Sequence, residues 1–223
     1  MQKVKSLRAL LAVSAIAILL SVGIMNSNKI AAFEQTGATN EKSSETNPLL
    51  ADWKGNYGGV PAFDKVKVTD FKPALEAAMT ENLAEIDKIA NSSAAPDFEN
   101  TIAAMERTGS ALDRVSTVYG IWAGTLSSPE IRAVEREMGP KFAALGDKIT
   151  QNGALFKRIE AVYNTREKSK LTPEQKRLTW RYYTNFVRAG AKLGETEKKR
   201  LSEINQTLAG LYTRFSQNLL ADE

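Results

Sequence analysis

Glutamates carry what acid–base chemistry this sequence could offer, because its 223 residues include no histidine and no cysteine. Histidine is the common general base near neutral pH and the common metal ligand. Ser-His-Asp and Cys-His catalysis therefore have no residues to work with, and neither does a zinc site built from His or Cys. Proton transfer would fall to carboxylates, lysine or tyrosine. Glu130, Glu135 and Glu137 lie close together, interleaved with Arg132, Arg136 and Lys141. Spacings of three and four between opposite charges are those of ion pairs along a helix surface. A solvated salt-bridge face is thus the plainer reading than an acid–base pair or a metal site. Glu195, Glu197 and Glu203 among Lys198, Lys199 and Arg200 read the same way. No catalytic, cofactor-binding or metal-ligating residue is assigned.

Two further patterns suggest binding. Lys168, Lys170, Lys176, Arg177 and Arg181 run beside Trp180, Tyr182 and Tyr183, a mixture that nucleic-acid surfaces use. The charge balance argues against that partner. The chain holds 30 basic and 26 acidic residues, and its isoelectric point is near 9.2. Residues 1–32 contain four of the basic residues (Lys3, Lys5, Arg8 and Lys29) and no acidic one, which leaves 26 against 26 in the rest. The basicity belongs to the first segment, so no nucleic-acid partner is expected. Tyr182 and Phe186 read as core. Gly55-Asn56-Tyr57-Gly58-Gly59 lacks the Lys-Ser/Thr of a phosphate loop and follows no strand pattern.

The elements that must position these residues are helices. Lys3, Lys5 and Arg8 precede an apolar run from Ala9 to Met25, the form of a secretory signal. Residues 1–32 are expected to be a signal peptide, cut near Ser21-Val22-Gly23 or near Ala31 or Ala32. A membrane anchor is the alternative, with a run at the lower limit for a spanning helix. Residues 33–46, rich in Glu, Thr, Ser and Asn, read as a flexible, disordered linker. Asn47 to Val60 reads as an irregular arm whose aromatics, Trp53 and Tyr57, pack onto the body.

Beyond the arm, Phe71, Leu75, Met79, Leu83, Ile86 and Ile89 mark one apolar helix face. Pro73 is placed in its first turn, and Asn91 to Pro96 ends it. A second helix is expected from about Phe98 to Arg107. Gly109 interrupts it, and a third continues through Val115 and Trp122. Ser127, with Glu130 three residues on, is expected to cap the next helix, and Gly139-Pro140 to bend or break it. A shorter helix carries Leu155, Phe156, Ile159 and Tyr163. Thr172-Pro173-Glu174-Gln175 is a capping box opening a helix through Tyr182 and Phe186. The last helix starts near Glu195, with Leu201, Ile204, Leu208, Leu211, Phe215 and Leu219 close to a heptad seam. No strand alternation competes, so the fold class is all-α, built of antiparallel helices.

Several phrases are more specific. They are Asn47-Pro48-Leu49-Leu50 with Trp53, Pro61-x-Phe63-Asp64-x-Val66, and Asp70-Phe71-x-Pro73-Ala74. Phe98-Glu99-Asn100-Thr101-Ile102 follows, with Met105-Glu106 and Gly109. Then come Leu171 to Gln175, Phe186 to Leu193, Lys199-Arg200-Leu201-x-x-Ile204-Asn205 and Phe215-Ser216-x-Asn218-Leu219-Leu220. In this order, residues 47–223 resemble the N-terminal part of the thimet-oligopeptidase-like zinc metallopeptidase family, in its peptidyl-dipeptidase and oligopeptidase A group.

The resemblance implies a two-lobed helical enzyme with a deep channel. Its zinc is held by a His-Glu-x-x-His helix and a downstream Glu, none of which has a counterpart here. Zinc is therefore expected in the complete enzyme and not in this chain, and the chain alone is expected to be inactive. Residues 47–223 would be the N-terminal helical lobe lining one channel wall. Short peptides would be the substrates, and the missing C-terminal catalytic lobe the partner. The protein would be exported, in the periplasm, or membrane-anchored as the alternative. A stand-alone peptide-binding or inhibitory module without activity is the other functional reading. Phe98, Ile102, Leu112, Phe186 and Phe215 would be core, and Asn100 and Thr101 would brace a helix start. Arg188 and Lys192 would lie on the surface or pair across lobes. The last helix reads as cut while still running, so Leu208, Leu211, Phe215 and Leu219 are expected to be exposed.

Overall fold

A computed structural model describes residues 47–54, 59–126 and 128–221. The expected signal peptide and linker, Gly55 to Gly58 and the proposed cap Ser127 lie outside the described residues. Six α-helices of 13 residues or more carry the fold. They are α1 (Val68–Ala90), α3 (Ser110–Thr125), α4 (Pro129–Thr150), α5 (Gly153–Thr165), α6 (Pro173–Arg188) and α7 (Glu195–Ala221). Between α1 and α3 runs a π-helix, Phe98–Ala103, which passes into the short α2 (Ala104–Glu106). The described residues contain no strand, only one isolated bridge between Lys54 and Val60. No helix among them is long and apolar enough to cross a membrane.

Helix α1 organises the rest. At 23 residues it is ~35 Å long, and its one apolar face serves two cores. Phe71, Leu75 and Met79 meet Val115 and Val118 of α3 and Ile131 and Met138 of α4. Tyr119 and Trp122 set their rings edge-on to Phe71, at 5.8 and 5.3 Å between centroids. Two turns on, Ile86 and Ile89 meet Ile102 of the π-helix, Leu155 and Ile159 of α5, and Phe186 of α6. Phe71 and Phe186 are both fully buried, and truncating either to Ala would cost roughly 3–5 kcal/mol.

The arm preceding α1 is tied down by its first residue. The Asn47 side chain donates to the Asp70 carbonyl at 2.9 Å and accepts from the Leu49 amide at 3.0 Å. This buries Leu49 and packs Trp53 against the first core. Gly59 turns the chain back at φ +95°, where a Cβ would stand 2.4 Å from the Trp53 carbonyl carbon. Only glycine allows that approach.

Three expected boundaries move. Pro73 sits inside α1, not in its first turn. The helix begins earlier because the Asp70 carboxylate reaches back to the Lys67 amide at 2.8 Å. The cap of α4 is Ser128, one residue after the expected serine, with its hydroxyl accepting from the Ile131 amide at 3.3 Å. Pro129 then takes the first helical position. Gly139-Pro140 does not break α4, which runs as one helix from Pro129 to Thr150. The lost backbone bond of Pro140 is offset by packing, because α7 lies directly against this pair. A Cβ on Gly139 would be 2.9 Å from Thr213 Oγ1. The Thr172 capping box forms as read, with reciprocal bonds of 3.0 and 3.3 Å to Gln175.

The loop from Asn91 to Asp97 is held by a buried charge. Arg158 of α5, only 6% exposed, donates to the carbonyls of Ser92 (3.0 Å) and Ala94 (2.9 Å) and to Asn100 Oδ1 (2.8 Å). The same Asn100 oxygen accepts from the Asp97 amide at 3.0 Å and from Thr101 Oγ1 at 2.9 Å. The Asn100 amide donates in return to the Asp97 carboxylate at 2.7 Å, which closes a capping box. Asn100 and Thr101 thus brace a helix start, as expected. That start is π-helical, which the apolar spacing did not reveal.

Arg158→Leu should therefore leave the Ser92 and Ala94 carbonyls unpaired, remove one of three donors to Asn100 Oδ1 and cost roughly 2–4 kcal/mol. Arg158→Lys should recover only part of this, since an ammonium cannot form the fork. Urea denaturation of the three proteins checks both values. A Leu variant within about 0.5 kcal/mol of the parent would remove the clamp from the account.

Candidate functional site

The two cores do not meet across their full width. Between them, bounded by α3, α4 and α6, opens a cleft of about 940 Å³, at the upper end of the range of small-ligand sites. Its floor is the middle of α1, where Asn82 falls between the two apolar stretches. Leu112 of α3, Phe142 of α4 and Leu178 of α6 supply apolar wall. Gly109, in the left-handed region at φ +80°, lies over Asn82, and a Cβ there would stand 3.0 Å from Asn82 Nδ2. The Gly109 amide donates to Glu85 Oε2 at 2.7 Å, fixing the start of α3 against α1.

Four ionisable side chains line the cleft besides two tyrosines: Glu106, Asp113, Glu135 and Arg181. The Tyr182 hydroxyl donates to the Glu106 carboxylate. Burial, then that bond, pushes the Tyr182 phenol far above its ordinary value. Burial, with the nearby Glu135 charge, does the same to Tyr119. Desolvation raises the Asp113 carboxyl. These groups can bind and orient. Among the described residues no cluster of three or more Asp, Glu, His or Cys side chains could hold a metal ion. The described residues do not fit a zinc centre.

The second feature is the outer face of α7. Its inner side packs closely on α4 through small residues, with Gly210 and Ala209 against Pro140 and Gly139. Gln217 donates to the Arg132 carbonyl at 2.9 Å and to Glu135 Oε2 at 3.0 Å, and accepts from Arg136 at 2.7 Å. Asn205 donates to the buried Asp147 at 2.7 Å. No described side chain of α7 is buried. Leu208, Leu211 and Leu219 are 43, 46 and 52% exposed, and Phe215 is 66% exposed. The seam is open, as expected for this helix. Phe215 is correspondingly not core within these residues, whereas Ile102 and Phe186 are, and Phe98 and Leu112 are half-buried.

The glutamates singled out by type and spacing are placed differently from the expected face. Glu137 pairs with Lys72 and Lys141 pairs with Glu76, both across to α1, and Arg136 and Glu135 meet Gln217 of α7. The i, i+4 pairs along α4 do not form among the described residues. Helix α4 is flanked by α1 and α7, so its charges find partners on those helices. The Lys72 ammonium holds the Glu137 carboxyl below the ordinary carboxylate range. Glu195–Lys198 and Glu203–Arg200 do pair along α7, exposed, at 3.3 and 3.2 Å. In the basic-aromatic run Tyr182 is buried and Trp180 is 45% exposed, while Lys176 is engaged by Glu167 at 3.2 Å. Lys192 pairs within the chain, with Glu160 and the Tyr183 hydroxyl, each at 2.9 Å. Arg188 is exposed. The cleft was not foreseen. Its one signal in the sequence is Asn82, a polar residue in register with Leu75, Met79 and Ile86 on an otherwise apolar face.

No family model matches the chain. Curated relatives do. Dipeptidyl carboxypeptidase of Salmonella typhimurium is 37% identical over 176 residues, 79% of this chain and 26% of the relative. Dipeptidyl carboxypeptidase of Escherichia coli is 36% identical over 175 residues, 78% of this chain and 26% of the relative. Organellar oligopeptidase A of Arabidopsis thaliana is 24% identical over 183 residues, 81% of this chain and 22% of the relative. The chain thus spans about a quarter of the length of the relatives it matches most strongly.

The two cleft tyrosines make a prediction. A phenol whose folded value is raised stabilises fully below its unfolded value, about 10, and that contribution is lost as pH rises above it. Stability of the chain should fall from about pH 10 upward. The fall should be shallower in Tyr119→Phe, which has no phenol to ionise there. Denaturant midpoints measured across the alkaline range check this. Equal slopes in parent and variant would rule out a linked Tyr119.

Proposed function

We propose, on the premise that the chain belongs to the dipeptidyl carboxypeptidase and oligopeptidase A group, that residues 47–223 are the N-terminal helical lobe of a zinc-dependent oligopeptidase. The observation that carries this reading is the open apolar face of α7. A helix that offers a close-packed seam to α4 and a row of Leu208, Leu211, Phe215 and Leu219 to the outside is built to be covered on both sides. In this proposal the cover is the catalytic portion of the same enzyme, and the helical lobe forms one wall of a channel admitting short peptides.

The reaction in this reading is hydrolysis of short peptides, with release of C-terminal dipeptides favoured by the names of the two relatives at 37 and 36% identity. Zinc, when bound in the catalytic portion, activates water and polarises the scissile carbonyl. The residues of this lobe contribute by shape. They hold a rigid wall on α1, exclude bulky folded chains and keep water from part of the channel. Residues 1–32, with Lys3, Lys5 and Arg8 ahead of an apolar run, direct export to the periplasm in the same proposal.

Two experiments test it. Reading the coding DNA past the Glu223 codon should reveal an in-frame His-Glu-x-x-His. The 223-residue chain itself should not cleave N-blocked tripeptides, and chelator-sensitive cleavage by the purified chain would overturn the lobe reading. Phe215→Glu should change the chain's own unfolding free energy by less than about 0.5 kcal/mol, since the side chain is exposed. In the complete enzyme the same change should sharply lower stability, measured by thermal denaturation. N-terminal sequencing of the periplasmic protein checks the export claim.

A further inference from the structure

We propose that the α5–α6 hairpin is a peripheral docking surface for an anionic phospholipid bilayer. Trp180 would sit at the lipid interface, among cations that meet the headgroup phosphates. This inference concerns the chain by itself and does not depend on the peptidase reading.

The first observation is the distribution of charge. From residue 33 onward the chain is neutral, but the balance conceals a separation. Residues 153–192, which span α5, α6 and the turn after α6, hold ten basic and three acidic residues. The remaining residues from 33 onward hold sixteen basic and twenty-three acidic ones. On the hairpin, Lys168, Lys170, Arg177 and Arg181 are exposed, and their side chains make no hydrogen bond or ion pair among the described residues. The neighbouring Glu167 is already held by Arg166 and Lys176, each at 3.2 Å. Folding does not favour this arrangement. Arg177 and Arg181 are like charges at i, i+4 on α6. Lys176 and Arg177 lie near the N-terminal end of that helix, where its dipole disfavours cations. A surface dense in phosphates relieves both conflicts.

The second observation is Trp180. Trp53 and Trp122 pack against the first core, whereas Trp180 is 45% exposed. With Arg166, Glu167, Lys176 and Arg177 it lines a shallow recess of about 310 Å³, open enough to admit a headgroup phosphate. An indole among Lys and Arg is the composition of a membrane–water interface. There the ring rests at headgroup level, and the long cationic side chains reach the phosphates. A single-stranded nucleic acid would instead call for several open aromatic faces to stack its bases. The hairpin does not present them. Tyr182 is buried, and Tyr163 has the Tyr183 ring and the Arg166 guanidinium against it, each at 3.8 Å.

The test uses the 223-residue chain and two kinds of vesicle, phosphatidylcholine alone and its equal mixture with phosphatidylglycerol. Sedimentation should show roughly tenfold stronger partitioning to the mixed vesicles, weakened by salt. Residues 1–32 are common to every variant, so their own affinity for lipid is a constant background. Lys168→Gln, Lys170→Gln, Arg177→Gln and Arg181→Gln together should weaken partitioning to the mixed vesicles roughly tenfold or more. The same change at Lys54, Lys65, Lys88 and Lys148, which are exposed elsewhere on the body, should leave it within about twofold. All eight positions are at the surface, and circular dichroism checks that both variants keep the fold. Trp180 emission, isolated by difference from Trp180→Phe, should move to the blue on mixed vesicles and be quenched by brominated lipid. Equal partitioning of the two quadruple variants, or Trp180 emission unmoved by vesicles, would overturn the proposal. So would the same emission change with inorganic phosphate, a single-stranded oligonucleotide or polyglutamate in place of lipid.

Discussion

One helix face has to satisfy two cores at once. Helix α1 commits Phe71, Leu75 and Met79 to a core with α3 and α4, then Ile86 and Ile89 to a core with the π-helix, α5 and α6. An α-helix is stiff over this length, so the direction of one core sets the direction of the other. Helices α3, α4 and α5 are placed by which half of α1 they meet, and α7 is placed in turn by α4. The cleft follows from the same constraint. Two bundles that diverge from one axis touch near it and separate away from it, and the residue at the parting point is the polar Asn82.

Polar groups decide how the second half closes. The turn after α1 cannot bury its carbonyls without donors. Arg158 supplies them from α5, and Asn100 collects three donors on one oxygen. This network sets the π-helical start and so the depth to which Ile102 enters the core. Family-like phrases at Asn47 and at Phe98 to Ile102 therefore read, in the structure, as anchoring devices for α1 at its two ends. Their chemistry is structural.

Much of the architecture was legible because periodicity is a local property. The apolar spacing of α1, the Thr172 capping box and the seam of α7 all appear as read. Errors arose where a distant partner decided the outcome. Pro73 and Pro140 were given their local meaning, yet Asp70 reaching back to Lys67 and α7 lying on Gly139 override it. The charges of α4 look like an i, i+4 face, yet α1 and α7 flank that helix and take them. The cleft was the least legible feature. It is made by the divergence of two bundles, and only Asn82, out of place on an apolar stripe, marks it.

Helix α7 has a temporal consequence. It makes extensive contact with α4 alone, and none of its described side chains is buried. Both cores are complete with residues up to Ala191. During synthesis from the N-terminus, the body can therefore close while α7 is still within the ribosome. The nascent chain then presents a finished surface on α4, with Gly139 and Pro140 ready for a late helix to dock. The open seam on α7 therefore emerges only after the body on which it docks has closed.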